Sequence, residues 1–305
     1  MIYYILLWCL APLLRTCTNY IDKFLLHDIT YPKNHAIPVL IIFSGLIGIV
    51  SFTVALFFGG LWFFRLPLSS IILSIGAWII YIIASFVYLQ ALQIDSPINI
   101  IPYFQVIPIF AIVIWSLWFQ EYLNTYDIVW SVCIMLWAFL LWFQPKTYQF
   151  KRKSFLLMML ASFLFTVPDS LFKYIQYQHS FWITSVWISL GLVIVSVSFL
   201  LVKDWRKSFV LVLQNNGWKV FWINTFNEIL NMTAKFIFFY LTTHLYLAHL
   251  ELINSLQPAF IVIIGYFLYK FTKFGKDLRN KEEAFKQIIS IALMILWVVI
   301  MNLNF

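Results

Sequence analysis

Runs of about twenty apolar residues return ten times along this chain, and their length limits what it can fold into. They cover 2–26, 36–58, 69–94, 97–119, 126–144, 154–176, 180–202, 218–242, 247–270 and 285–304. A helix rises about 1.5 Å per residue, so about twenty residues cross a hydrocarbon core about 30 Å thick. The runs are too long for barrel strands and lack their alternation, so each predicts a membrane helix. Charged residues make up 10% of the chain, against about 25% in soluble domains. The expected class is an all-α, multi-pass integral protein of the cell (inner) membrane. The opening MIYYILLW has no basic n-region and reads as a retained first helix.

The net charge of +8 is explained without nucleic acid. Fifteen Lys and Arg residues fall in the odd-numbered loops and their helix ends, and one, Arg65, in the even-numbered loops. By the positive-inside bias the odd loops face the cytoplasm and both termini face outward. The connections are short except 203–217 and 271–284. Cys9, Cys17 and Cys133 lie in apolar runs with no metal or disulfide spacing and read as small core hydrophobes. No cofactor or metal site is expected.

A shift of 150 residues brings the chain back onto itself. Asn19 meets Asp169 and Lys23 meets Lys173, along with Leu6/Leu156, Leu7/Leu157, Leu10/Leu160, Ala11/Ala161, Leu14/Leu164 and Thr16/Thr166. The same shift sets Pro108 of IPYFQVIP on Pro258 of LINSLQP. Five helices per half is an odd number, which forces the halves into opposite orientations. The expected architecture is ten transmembrane helices as two inverted five-helix repeats: 1–144, a basic connector at 145–153, and 154–305. Transporters built this way bind near the midplane between the halves.

Seven formal charges lie inside the runs: Arg15, Asp22, Lys23, Asp169, Lys173, Glu228 and Lys235. Each costs about 2.5–3.5 kcal/mol at a helix centre on insertion scales. Such groups belong in a bundle interior or a wet cavity. Arg15, Asn19, Asp22 and Lys23 share one face of the first span, and Asp169, Ser170, Lys173 and Tyr177 one face of the sixth. In WINTFNEILNMTAKF, Asn224, Asn227, Glu228, Asn231 and Lys235 recur at helical spacing and make one side of the eighth span polar for about three turns. A polar network that only holds helices together is the plainer alternative.

Asn99, Tyr103 and Gln105 in the fourth span, and Glu251, Asn254, Ser255 and Gln257 in the ninth, sit near the repeated proline. There, capping at a bend competes with a place in the site. The Trp and Tyr residues read mostly as interfacial anchors or packing. The candidate substrate-binding set is Asn19, Asp22, Lys23, Tyr103, Gln105, Asp169, Lys173, Asn227, Glu228, Asn231, Lys235 and Gln257. Four bases against three acids among the seven charges suit an anionic or zwitterionic ligand.

NYIDKFLL in the first span and PDSLFK in the sixth, with SFVYLQALQIDSPINIIPYFQVIPIFAIVIWSLWFQE and FFYLTTHLYLAHLELINSLQPAFIVIIGYFLYKF, resemble the drug/metabolite transporter superfamily, EamA type. The resemblance covers nearly the whole chain. It implies a central cavity lined by spans one, three, four, six, eight and nine, and both termini in the cytoplasm, opposite to the loop charges. The expected function is a secondary transporter moving a small polar or zwitterionic metabolite by alternating access. A proton or cation can serve as coupling partner, and the unit is a monomer or homodimer. The alternative is a lipid or lipid-linked-sugar flippase of the same fold, with Arg15, Lys23 and Lys173 as its phosphate site. HExxH, GxSxG and GxxxxGK[ST] motifs are absent, so neither an enzyme nor an ATP-driven pump is expected.

Overall fold

A computed structural model describes residues 2–27, 35–60, 66–118, 152–244 and 256–271, with Thr125, Ile128, Val129, Val132, Leu136, Leu250 and Asn254 as isolated positions. The expected tenth span, most of the fifth, the connector up to Lys151, Cys133, Glu251, Ser255 and most loop bases lie outside the described residues.

Helices are α1 Ile2–His27, α2 Ala36–Gly59, α3 Leu68–Ile94, α4 Pro97–Trp118, α5 Arg152–Gln178, α6 Phe181–Leu201, α7 Lys203–Leu241 and α8 Gln257–Phe271. No strand occurs among the described residues. Five of these helices, α2 to α6, are long and apolar enough to cross a membrane, which marks the chain as an integral membrane protein. Outward-facing Phe57, Phe58, Leu117, Trp118, Leu201 and Trp222 are largely exposed, as lipid-facing side chains should be.

The first six helices end within one or two residues of the apolar runs. Three details follow from proline. In α4 the chain passes from an α-turn at Pro97–Ile100 into a 3₁₀ stretch at Ile101–Val106 and back to α-helix at Ile107–Trp118. Pro102 and Pro108 each lack an N–H to donate, so the α ladder cannot run unbroken through this stretch. In α8, Pro258 falls in the first turn, where a missing N–H costs least. Pro12 and Pro168 lie within α1 and α5, and each leaves the carbonyl four residues back without its helical donor.

The connection expected at 203–217 is not a loop. It is the first part of α7, which runs 39 residues without a break, about 58 Å at about 1.5 Å per residue. No proline interrupts DWRKSFVLVLQNNGW, and one face packs. The Ser208 hydroxyl and His35 Nδ1 share a hydrogen bond at 2.8 Å. Phe209 meets Phe43 at 5.0 Å between ring centroids, and Val212 is buried. Tertiary contact supplies what hydropathy did not signal.

The helices pack in a small set of partnerships: α2 on α6, α3 on α5, α1 on α7, α3 on α6, α2 on α7, α4 on α5 and α1 on α8. The α2–α6 seam is built from small residues. A Cβ on Gly45 would stand 2.3 Å from Ser196 Cβ, and one on Gly48 2.9 Å from Leu192 Cδ2. Close backbone approach of this kind lets membrane helices gain van der Waals contact that lipid cannot supply.

Candidate functional site

Between the helices lies a cavity of about 1530 Å³, counting its open part, to which α1 to α7 and the start of α8 all contribute. Resemblance to drug/metabolite transporters implied walls from six spans. Here α2 and α6 join them through Ser44, Ile188 and Ser196.

Of the twelve candidate residues, nine line this cavity: Asn19, Asp22, Gln105, Asp169, Asn227, Glu228, Asn231, Lys235 and Gln257. Arg15 lines it too. None of the seven charged residues is exposed on the outer surface. Geometry explains why α7 contributes four of the nine. Asn227, Glu228, Asn231 and Lys235 turn one face inward, while Trp222, Phe226, Ile229 and Thr233 on the other face are exposed.

Two carboxylates meet near one end of the ionic cluster. The Asn227 side-chain amide donates to Asp22 Oδ1 at 2.7 Å, tying α7 to α1. Glu228 accepts from the Ser44 hydroxyl and, at 3.3 Å, from Asn231 Nδ2, tying α7 to α2. Nearby, the Tyr88 hydroxyl donates to Asn19 Oδ1 at 2.7 Å. About two turns away along both α1 and α7 stand the bases. Arg15 lies over the Phe238 ring at 5.0 Å. The Lys235 ammonium sits 3.3 Å from the Tyr81 ring centroid and 4.6 Å from that of Trp78. It is buried and has no hydrogen-bond acceptor. Aromatic faces attract a desolvated cation by about 2 kcal/mol. That offsets part of its burial and leaves its three N–H donors unused.

Three candidate residues are not in the cavity wall. Lys23 turns to the end of α3, where its ammonium donates to the Leu92 and Asp95 carbonyls at 2.6 and 2.7 Å. That is a C-terminal cap, favoured because a helix leaves its last carbonyls without partners and its C-terminus partly negative. The same corner is finished by Asp95, whose carboxylate accepts from Asn99 Nδ2 at 2.7 Å and from the Ser96 N–H. So Asn99 caps a turn. Lys173 is buried against the rings of Trp115 and Tyr177. Tyr103 packs edge-on against Phe155. With Lys23 and Lys173 outside, the wall carries two bases, Arg15 and Lys235, and three acids, Asp22, Asp169 and Glu228. This corrects the excess of base that the seven residues have in sequence. The balance suits a cationic or zwitterionic ligand better than a simple anion.

The resemblance implied a wall from the third span, α3, but none of its residues was among the candidates. Trp78, Tyr81, Ser85 and Tyr88 all line the cavity. Their spacing of three, four and three residues puts them on one helix face. That pattern, in a span rich in Ile, Ala and Leu, is the signal that treating Trp and Tyr as interfacial anchors hides. Trp78 is further fixed by Gly191, where a Cβ would come within 2.8 Å of its Cδ1.

Comparison with known proteins adds the fold. No family model matches the sequence, and no curated protein does. A solved structure designated "Crystal structure of protein" is similar over 99% of this chain and 94% of its own, with a TM-score of 0.54 and 15% identity. At that identity the likeness is one of fold alone.

Proposed function

We propose that this protein is a secondary transporter of the drug/metabolite type, moving a small polar or zwitterionic metabolite by alternating access through the central cavity. One observation carries the reading. Five charged side chains from α1, α5 and α7 converge on a single hollow in a chain whose outer face is apolar. Polar glue between helices needs neither the hollow nor an ammonium without an acceptor.

The proposed architecture is ten spans in two inverted halves, with α1, α7 and α8 crossing beside α2 to α6 and the apolar runs at 126–144 and 285–304 supplying the other two. Support comes from the packing partnerships. Exchange α1 with α5, α2 with α6, α3 with α7 and α4 with α8. Then α1–α7 becomes α5–α3, α3–α6 becomes α7–α2, α1–α8 becomes α5–α4, and α2–α6 maps onto itself; every one of these pairs is in contact. Thr16 and Thr166, one repeat apart, are both fully buried and both donate to the carbonyl four residues back, at 2.8 and 2.9 Å. An inverted pair of this kind can rock about a shared midplane site.

Flipping a lipid-linked phosphate is the competing reading and draws on Arg15, Lys23 and Lys173. Arg15 alone of these lines the cavity, which favours the metabolite.

The test is flux in proteoliposomes across a metabolite panel. Glu228→Gln keeps the shape and removes the charge that Ser44 and Asn231 hold in place. It is expected to cut flux by about a hundredfold or more, as losses of about 3 kcal/mol do, with the protein still folded. Wild-type vesicles that move nothing in the panel, or Glu228→Gln at full rate, would count against transport through this cavity.

A further inference from the structure

We propose that the cavity takes an extended dipolar molecule, with an ammonium at one end and a carboxylate at the other, lying along α7 between the Asp22–Glu228 pair and the Lys235 ammonium. The inference rests on the transport reading and names its substrate class.

Spacing comes first. Arg15 and Asp22 are seven residues apart on α1, and Glu228 and Lys235 seven apart on α7. Seven residues are two turns and about 10 Å. The two helices run antiparallel here, since Asp22 bonds Asn227 while Arg15 meets Phe238. Both helices therefore set their acid at one level and their base at the other. The hollow is polarised, with Asp22 and Glu228 at one end and Arg15 and Lys235 at the other. Asp169 is within electrostatic reach of Lys235, so the basic level holds one acid besides its two bases.

Each level also has unused hydrogen-bonding capacity. At the basic level, Lys235 Nζ and Trp78 Nε1 are buried donors with no acceptor, and both residues line the cavity. A carboxylate offers two oxygens and suits two donors. At the acidic level, Asn227 Oδ1 is a buried acceptor with no donor, next to the two carboxylates. An ammonium has three donors and no acceptor. Glu228 and Lys235 feel each other's charge across about two turns but do not hydrogen-bond, and a buried charge left without a partner is costly. The ligand is that partner.

Length then discriminates. Each contact takes up about 2.8 Å, so between levels about 10 Å apart the ligand's own charges must stand about 5 Å apart when both contacts lie along the axis, and farther apart when they lie across it. An α-amino acid, with its two groups on one carbon, reaches one level only. A chain of four to six carbons, or a dipeptide, reaches both. Tyr81, against Lys235 at the basic level, and Tyr88, bonded to Asn19 near the acidic level, both line the cavity and offer ring surface to the methylenes.

The experiment uses the full chain in nanodiscs, with thermal shift and competition binding for the unbranched ω-amino acids from two to six carbons and for the plain alkylamines of equal length. Affinity is expected to rise with length and to peak among the four- to six-carbon members, about tenfold or more above glycine. Lys235→Met should erase the advantage of each ω-amino acid over its alkylamine and leave alkylamine binding unchanged. Trp78→Phe keeps an aromatic ring, removes the donor and should lower the same advantage, so the test survives if one variant folds poorly. Glycine binding as tightly as the long members, or a length optimum that neither variant changes, overturns the inference and leaves transport standing. The same holds if another metabolite is carried while no member of the series binds. Absence of flux for every compound defeats the transport reading itself.

Discussion

Gly45→Ala is expected to destabilise the folded protein by about 2–3 kcal/mol, a large loss for one methyl group. The added Cβ would lie 2.3 Å from Ser196 Cβ and 3.2 Å from Ser196 Oγ, far inside any real carbon–carbon contact. The Oγ can rotate away, but the Cβ is fixed to the backbone, so the α2 and α6 backbones must separate. Separation would loosen Gly48 against Leu192 and shift Ser44, which holds Glu228 from the adjacent position. Unfolding in nanodiscs should therefore show a lower midpoint together with reduced flux. Ser196→Gly supplies the control. It removes the clashing atom, so the double variant should recover most of the stability. A double variant no better than Gly45→Ala would mean that the seam is held by something other than this contact.

The second large effect is expected at Lys23. Lys23→Met leaves the Leu92 and Asp95 carbonyls without their ammonium. Charge-assisted bonds are worth about 1.5–3 kcal/mol each, so a loss of about 3 kcal/mol is expected in equilibrium unfolding. Ligand binding by the fraction that remains folded should be close to wild type, because Lys23 is outside the cavity wall. The contrast with Lys235→Met is diagnostic. One lysine holds a helix end and its loss lowers stability. The other faces the hollow and its loss alters selectivity. Unchanged stability with lost binding in Lys23→Met would reverse that assignment.

In sequence the two lysines looked alike. Each is a cation about one turn or more from a polar partner in an apolar run, and each should cost about the same to insert. What separates them is reach. Lys23 lies opposite the corner where α3 ends at Ile94, and a four-carbon stem spans that gap. Lys235 lies opposite the middle of α3, where Trp78 and Tyr81 offer ring faces in place of carbonyls. No spacing rule within one helix carries that information.

The sequence by itself determined that the chain is helical and membrane-bound, and where most of its helices begin and end. Hydrocarbon cannot solvate a bare backbone, so apolar length translates directly into a span. It also determined which face of α7 is polar, because helical periodicity is local. Only the tertiary structure decided which polar groups meet around the hollow. It decided that 203–217 continues α7, that α3 supplies an aromatic wall, and that Lys235 is left without an acceptor. Those outcomes depend on which helices pack together and at what level. Contacts among residues 69 to 205 positions apart, such as Lys23 with Leu92 and Asp22 with Asn227, are fixed by packing and have no signature in either partner's own stretch of chain.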